Sequence, residues 1–196
     1  MLRLPLVAFF VSTALSGSAW ADWKPAETVK TYAVSGATGM DLYQSIGENG
    51  PVIGKGVRAI AHTTFTLYWK RDYQPRGTAC VLASAKPSLT IIYTFPKPKG
   101  TLAPALKAKW DVFMAGIRKH EAVHGANIEA MTREIERISV GMTQENDPGC
   151  KVIREVLQGK LKAISDARLA KENAFDQVEM NAGGNVHQLI LALVNE

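Results

Sequence analysis

One apolar stripe of helical spacing runs through residues 106–138 and constrains the second half of the chain. Its members recur mostly three or four positions apart, the interval that places side chains on one face of an α-helix. They are Leu106, Trp110, Phe113, Ile117, Ile128, Met131, Ile135 and Ile138. Pro104 stands where a first helical turn tolerates a missing N–H, and Gly141 stands where a helix commonly ends. The pattern predicts one long helix from Pro104 to about Val140.

Inside this stripe the sequence reads H-E-x-x-H, with His120, Glu121 and His124. Two histidines four positions apart leave a helix from the same face, and the register of the stripe turns that face inward. Such a pair can hold a zinc ion at about 2.0–2.1 Å, with the next carboxylate placed to take a proton from water. The motif therefore predicts a Zn²⁺ site with Glu121 as the general base. The alternative is that both histidines only form hydrogen bonds in a core.

The first half of the chain is rich in β-branched and aromatic residues, which favour strands. The predicted elements are strands over residues 27–34, 57–69 and 78–95, with a candidate break at 84–87, a turn at 70–77, and a short helix over 38–46 capped by Thr38. A second long helix is predicted over residues 150–175, and the short connection makes the two long helices antiparallel neighbours. Residues 187–194 are apolar and fit either a helix or a strand. The expected fold class is α+β: a β-rich half with one short helix, then a long antiparallel helical hairpin that carries H-E-x-x-H.

Residues 1–21 have the organisation of a bacterial signal peptide. Arg3 makes a short basic start, residues 4–15 are almost wholly apolar, and Ala19 and Ala21 form an A-x-A cleavage site. A membrane anchor is the weaker interpretation because a span needs about 20 apolar residues. We therefore expect one domain over residues 22–196, periplasmic or secreted, with no stable membrane span.

Cys80 and Cys150 are the only cysteines. In an oxidising compartment such a pair is expected to form a disulfide, and the alternative is two buried free thiols. Their separation does not suit a zinc ribbon, which needs close pairs. The formal net charge is +5, but the basic residues are scattered, so no nucleic-acid partner is expected.

A catalytic zinc site has three protein ligands and one open position, so a third ligand must come from outside the motif. An antiparallel hairpin can deliver a residue from near the far end of the second helix, where two candidates lie and a third follows after the glycine-rich residues 181–185. They are Asp176, Glu179 and His187.

With these features, residues 32–184 resemble a bacterial domain-of-unknown-function family described as predicted secreted zinc-dependent proteases. The resemblance rests on the β-rich first half, Trp110, the H-E-x-x-H motif and Cys150. The family continues with Tyr-Asp-x-x-Thr-x-His-Gly after a second helix. The matching residues here are Phe175, Asp176, Glu179 at the threonine place and Asn181 at the histidine place. The aspartate is kept and the histidine is not, so Asp176 fills the third place if the family's ligand is the aspartate, and only His187 could stand in if it is the histidine. Asp176 is favoured because it lies at the end of an apolar helix that Phe175 would anchor.

The resemblance implies a zincin-like metallopeptidase that acts on a peptide or protein, with cell-wall peptide as one candidate substrate. Residues 90–95 would then hold an extended peptide by strand addition. His62, in the strand region, is expected to be structural, and the alternative is that it faces the cleft as a transition-state donor. The missing histidine motivates an alternative, a catalytically retired binding module of the cell envelope. A third interpretation, a structural envelope protein whose hairpin binds a partner, leaves the buried charge of Glu121 without a purpose.

Overall fold

The computed structural model describes residues 23–54 and 56–195. The predicted signal peptide lies outside the described residues. The α+β prediction is confirmed, since a β-rich half with one short helix precedes a long helical hairpin. The elements in chain order are β1 Ala26–Val34, α1 Gly39–Asn49, β2 Val52–Ile53, β3 Val57–Arg58, β4 His62–Arg76, β5 Ala79–Pro98, α2 Pro104–Ser139, β6 Thr143–Gln144, α3 Val152–Met180 and α4 Asn185–Val194.

The main sheet has the strand order β1-β5-β4, with β1 parallel and β4 antiparallel to the central β5. Residues 90–94 of β5 are paired on both sides, with residues 26–30 of β1 and 62–66 of β4 as partners, and Phe95 is paired with Thr31 of β1. The expectation that residues 90–95 add a peptide strand is therefore wrong, because that stretch has no free edge. Within the described residues, no strand pairs with the outer edge of β4.

The hairpin of β4 and β5 is longer than the sequence predicted. The expected turn at residues 70–77 is mostly strand, and the expected break at residues 84–87 is absent. Cross-strand pairing continues through both stretches, and a bulge at Asp72/Tyr73 absorbs one irregularity in register. Pairing along the ladder outweighs the weak local preference of the polar residues. The chain reverses only at Gly77, whose φ of 62° suits glycine.

The helices lie where the sequence predicted them, and helical structure continues further toward the carboxyl end than predicted. α2 begins at Pro104 as predicted, and Val140 is its C-cap residue. α3 continues to Met180, five residues beyond the predicted end, so Asp176 and Glu179 lie in its last two turns. Residues 187–194, for which the sequence fitted either a helix or a strand, belong to the helix α4.

Buried side chains of α2 pack on the helix-facing side of the sheet. Ile128, Met131 and Ile135 contact Leu89 and Ile91 of β5. A second cluster joins the amino-terminal half of α2 to α1, α4 and the far end of β5. Because the same face of α2 carries the two motif histidines, this packing directs both imidazoles into the protein body, between α2 and α3.

The disulfide prediction is confirmed: Cys80 at the start of β5 is bonded to Cys150, just before α3. Both residues are buried, and the closed loop spans 70 positions that include all of α2. The chain-entropy relation gives a loop of that length about 4 kcal/mol of stabilisation. Within the described residues, the structure contains no helix long and apolar enough to cross a membrane.

Candidate metal centre

α2 places His120 and His124 one helical turn apart on its inward face. The His120 side chain is 4% exposed and that of His124 is 12% exposed. Their Nε2 atoms approach to 3.2 Å and so converge on one point. Two neutral imidazoles each have one nitrogen without a proton, which makes this a pair of neighbouring lone-pair donors.

α3 brings Asp176 to the same point from the opposite side. Asp176 Oδ1 lies 3.3 Å from His120 Nε2 and 2.9 Å from His124 Nε2. The three atoms form a compact triangle. Among the described residues, these three side chains are the group whose ligand atoms lie close enough together to hold a metal ion.

The dimensions of this triangle fit a zinc ion. Ligands at about 2.0–2.1 Å from a tetrahedral centre are separated by about 3.3 Å. The observed separations of 3.2, 3.3 and 2.9 Å are near that edge. Two imidazoles and one carboxylate are also a donor set that catalytic zinc sites use. The donor atoms and their spacing therefore fit the predicted cofactor.

Phe175 holds the two imidazoles in their orientations. Its ring stacks on His120 with centroids 4.8 Å apart and an interplanar angle of 21°. The same ring meets His124 nearly edge-on, at 5.6 Å and 77°. One aromatic side chain next to Asp176 thus restricts both rings, which reduces the conformational entropy lost when a ligand binds them.

Glu121 is buried beside this cluster and receives a hydrogen bond from β4. Thr63 Oγ1 donates to Glu121 Oε2 over 2.6 Å. Within residues 23–54 and 56–195, Glu121 takes part in no ion pair with a basic side chain. A buried carboxylate with one hydroxyl donor and no cation is suited to accept a proton.

The charges of the cluster are coupled through Asp176. Burial acts to raise the pKa of Asp176, but hydrogen bonds from His120 and His124 outweigh it and hold that pKa well below its usual range. Burial likewise opposes the charged form of His124, yet its bond to Asp176 raises the pKa of His124 above the ordinary value. Asp176 is therefore ionised at neutral pH, which places a negative charge beside both imidazoles.

The cluster opens into a cleft of about 420 Å³ between the β2–β3 hairpin, the start of β4, α2 and α3. Its rim combines apolar side chains (Ile53, Leu169, Met180) with polar ones (Glu172, Asn173). His62 borders the cleft, but it neighbours Thr63, whose side chain faces α2. Strand alternation turns the His62 side chain away from α2, which favours the structural role over the alternative role as a donor.

A close contact between β5 and α2 fixes the helix next to the motif. A Cβ atom at Gly125 would lie 2.1 Å from Tyr93 Oη. Burial is the main reason that the pKa of Tyr93 is raised, with a contribution from the nearby carboxylate of Glu27. Only glycine after His124 lets the helix approach the sheet this closely.

Comparison of the sequence with known protein families finds one match. The family profile described as "Bacterial protein of unknown function (DUF922)" matches residues 29–184. The chain belongs to this family. No curated protein and no solved structure matches the chain.

The DUF922 match spans the sheet, α2 and α3, and therefore includes the whole candidate metal centre, whereas α4 follows its end. Sequence reasoning placed His120, His124 and Asp176 together, and the structure brings these three side chains to one point. It had no signal for Thr63, because this contact depends on how α2 lies on the sheet.

The two alternative ligands in this DUF922 chain, Glu179 and His187, do not reach the point where the two Nε2 atoms and Asp176 Oδ1 converge. Glu179 Oε2 lies 3.7 Å from Nδ1 of His120, on the outer side of that ring. His187 is in the first turn of α4, where its Nδ1 accepts a hydrogen bond from the Gly183 amide. Asn181, at the place of the family's histidine, is the exposed C-cap residue of α3.

Proposed function

We propose that this chain is a secreted or periplasmic zinc-dependent metallopeptidase, with His120, His124 and Asp176 as the metal ligands. The observation that carries the proposal is the triangle of their three donor atoms, with near-tetrahedral separations, beside the buried carboxylate of Glu121. A core that merely satisfied two histidines would not require both Nε2 atoms and one carboxylate oxygen to converge.

A bound zinc ion supplies a Lewis acid that polarises a carbonyl group and lowers the pKa of water to about 7. Glu121 then accepts one proton from the attacking water and transfers it to the amine nitrogen as the C–N bond breaks. Thr63 holds the carboxylate by its Oε2 atom, which leaves Oε1 for this transfer. The water oxygen ends on the new carboxylate, so the reaction is hydrolysis of a peptide bond.

The outer edge of β4 is the proposed support for the substrate. Its first residues, His62 and Thr63, border the cleft, and no described strand pairs with this edge. An extended peptide can form main-chain hydrogen bonds there, as in other cases of strand addition. This assigns to β4 the role that sequence reasoning gave to residues 90–95 of β5. A protein or cell-wall peptide would fit such a surface.

A second candidate function is a catalytically retired binding module. Asn181 stands where the family motif of the resemblance has a histidine, and it favours this function because the departure lies only five positions after Asp176. In that case His120, His124 and Asp176 hold a structural ion or none. Equal thermal stability with and without a chelator supports the metal-free form, whereas unfolding by a chelator without hydrolysis supports a structural ion.

Substitution of the general base separates these functions. The mature protein should hold about one zinc ion per chain and cleave fluorescently labelled casein. Glu121→Gln should keep the ion and lower the cleavage rate by about 10²–10⁴-fold, the usual contribution of a general base. Glu134→Gln is a matched control, because Glu134 lies on the same helix in a surface ion pair with Arg137. Cleavage by Glu121→Gln at the parent rate contradicts the peptidase mechanism.

A further inference from the structure

Glu179 lies behind the metal cluster, on the side of His120 that faces away from the cleft. Its Oε2 atom is 3.7 Å from His120 Nδ1, and its side chain is 12% exposed. His120 Nδ1 is buried and has no hydrogen-bond partner. Sequence reasoning considered Glu179 only as a third ligand, a role that the geometry gives to Asp176.

The protonation of a ligating imidazole predicts what the unpartnered Nδ1 atom of His120 requires. If His120 Nε2 ligates a metal, the ring proton must be on Nδ1, because neutral imidazole carries one N–H. That N–H is then a buried donor, and a buried donor without an acceptor costs about 1–3 kcal/mol. Among the described residues, the acidic oxygen that lies beside it is Glu179 Oε2.

The other oxygen of Glu179 is already fixed. Asn185 Nδ2, at the start of α4, donates to Glu179 Oε1 over 2.6 Å. This bond joins the last turn of α3 to the first turn of α4 and orients the second oxygen toward His120. The Glu179 carboxylate also borders a cavity of about 670 Å³ between α2, α3 and α4, so it has room to approach the ring.

We propose that Glu179 is the positioning residue of the metal centre: it accepts a hydrogen bond from the Nδ1–H of His120, fixes the ring's tautomer and raises its affinity for the ion. Carboxylates that bond the outer nitrogen of a ligating histidine have this effect in metal sites generally. The proposal rests on the proposed function, since it requires a metal at His120. It assigns Asn185 to hold Glu179, so α4 contributes to the centre without touching the ion.

Zinc affinity is the direct test, measured by competition with a chromophoric chelator on the mature protein. Glu179→Gln keeps the size of the side chain and removes its charge, and we expect zinc to bind about 10–100-fold more weakly. Glu155→Gln is the matched control, an exposed residue in the first turn of the same helix. It should bind zinc as the parent does.

A second measurement separates positioning from a loss of structure. In the zinc-loaded parent, ¹⁵N-edited NMR should show a slowly exchanging His120 Nδ1–H, and in Glu179→Gln that signal should shift or exchange faster. The metal-free variant should unfold within a few degrees of the metal-free parent. Zinc affinity within twofold of the parent overturns the role of Glu179 alone. A parent that binds no zinc overturns the proposed function, and the role of Glu179 with it.

Discussion

Thr63 on β4 and Glu121 on α2 are joined by a 2.6 Å hydrogen bond although 58 positions separate them in the sequence. The bond crosses the interface between sheet and helix and ends on the carboxylate that we assign as the general base. Thr63 thus connects the strand with the free edge to the residue that would move the proton. The hydrogen bond therefore places β4, which carries the proposed substrate surface, in direct contact with the proposed general base.

Loss of the Thr63 hydroxyl should destabilise the protein measurably. Thr63→Val keeps the shape of the side chain but leaves the buried Glu121 carboxylate without its donor. Hydrogen bonds to charged groups contribute about 1.5–3 kcal/mol, so we expect the free energy of unfolding to fall by about that amount. Urea unfolding of the metal-free protein at pH 7 measures it. Thr64→Val, on the exposed opposite face, should change stability by less than about 0.5 kcal/mol; equal losses in both variants would contradict the assigned bond.

Zinc binding should depend on Asp176 and not on His187. Asp176→Asn removes the charge of the oxygen that lies 3.3 and 2.9 Å from the two Nε2 atoms, so zinc affinity should fall more than the 10–100-fold typical of residues behind the ligands. His187→Ala removes a side chain whose Nδ1 accepts from Gly183, outside the cluster, and should leave zinc affinity unchanged. Isothermal titration with zinc distinguishes them. A His187→Ala variant that loses zinc would show that the third ligand is misassigned.

Gly125→Ala should strain the contact between α2 and β5. The new methyl group would lie 2.1 Å from Tyr93 Oη, and overpacking of this kind costs about 1–3 kcal/mol. Removal of the hydroxyl in Tyr93→Phe relieves the closest clash, so the double variant should recover part of the lost stability. The double-mutant cycle is measured by urea unfolding. Strictly additive losses would mean that the Tyr93 hydroxyl does not set the approach of the helix.

Asp147 should make stability depend on pH in the acidic range. It is buried, and its carboxylate accepts hydrogen bonds from the amides of Lys151 and Ile153 at the start of α3. Burial acts to raise the pKa of Asp147, but these backbone bonds hold that pKa below its ordinary value. Its stabilisation is therefore complete above the unfolded pKa of about 3.9 and is lost as the pH falls through the lower folded pKa.

The test for Asp147 is the urea midpoint of the metal-free protein between pH 6 and pH 2. Asp147→Asn should be less stable than the parent at pH 6, and the difference should shrink toward pH 2. Asp176 also has a lowered pKa, but it is present in both proteins, so the difference between them isolates Asp147. Asp166→Asn, in a surface pair with Lys162, should follow the parent throughout. A constant gap at all pH values would show that ionisation of Asp147 is not the cause.

The errors of sequence reasoning fall where distant segments pair. The polar residues after Trp69 predicted a turn, but β5 supplies a partner for every one of them up to Arg76. Residues 90–95 were expected to offer a free edge, but β1 returns in parallel to cover it. Local sequence carries no information about either partner, since register and strand order arise from contacts between segments far apart in the chain.

The sequence by itself determined the long helix, the inward direction of His120 and His124, and the pairing of Cys80 with Cys150. The first two follow from the helical period, which acts over four residues. The third follows from having only two cysteines in a chain that the sequence predicts to be exported. The sequence favoured Asp176 as the third member of this group but left Glu179 and His187 open. Tertiary structure alone showed that Asp176 meets the two Nε2 atoms and that Thr63 donates a hydrogen bond to Glu121. Those contacts depend on the antiparallel offset of α3 and on how α2 lies across the sheet, both of which are set by packing of the whole core.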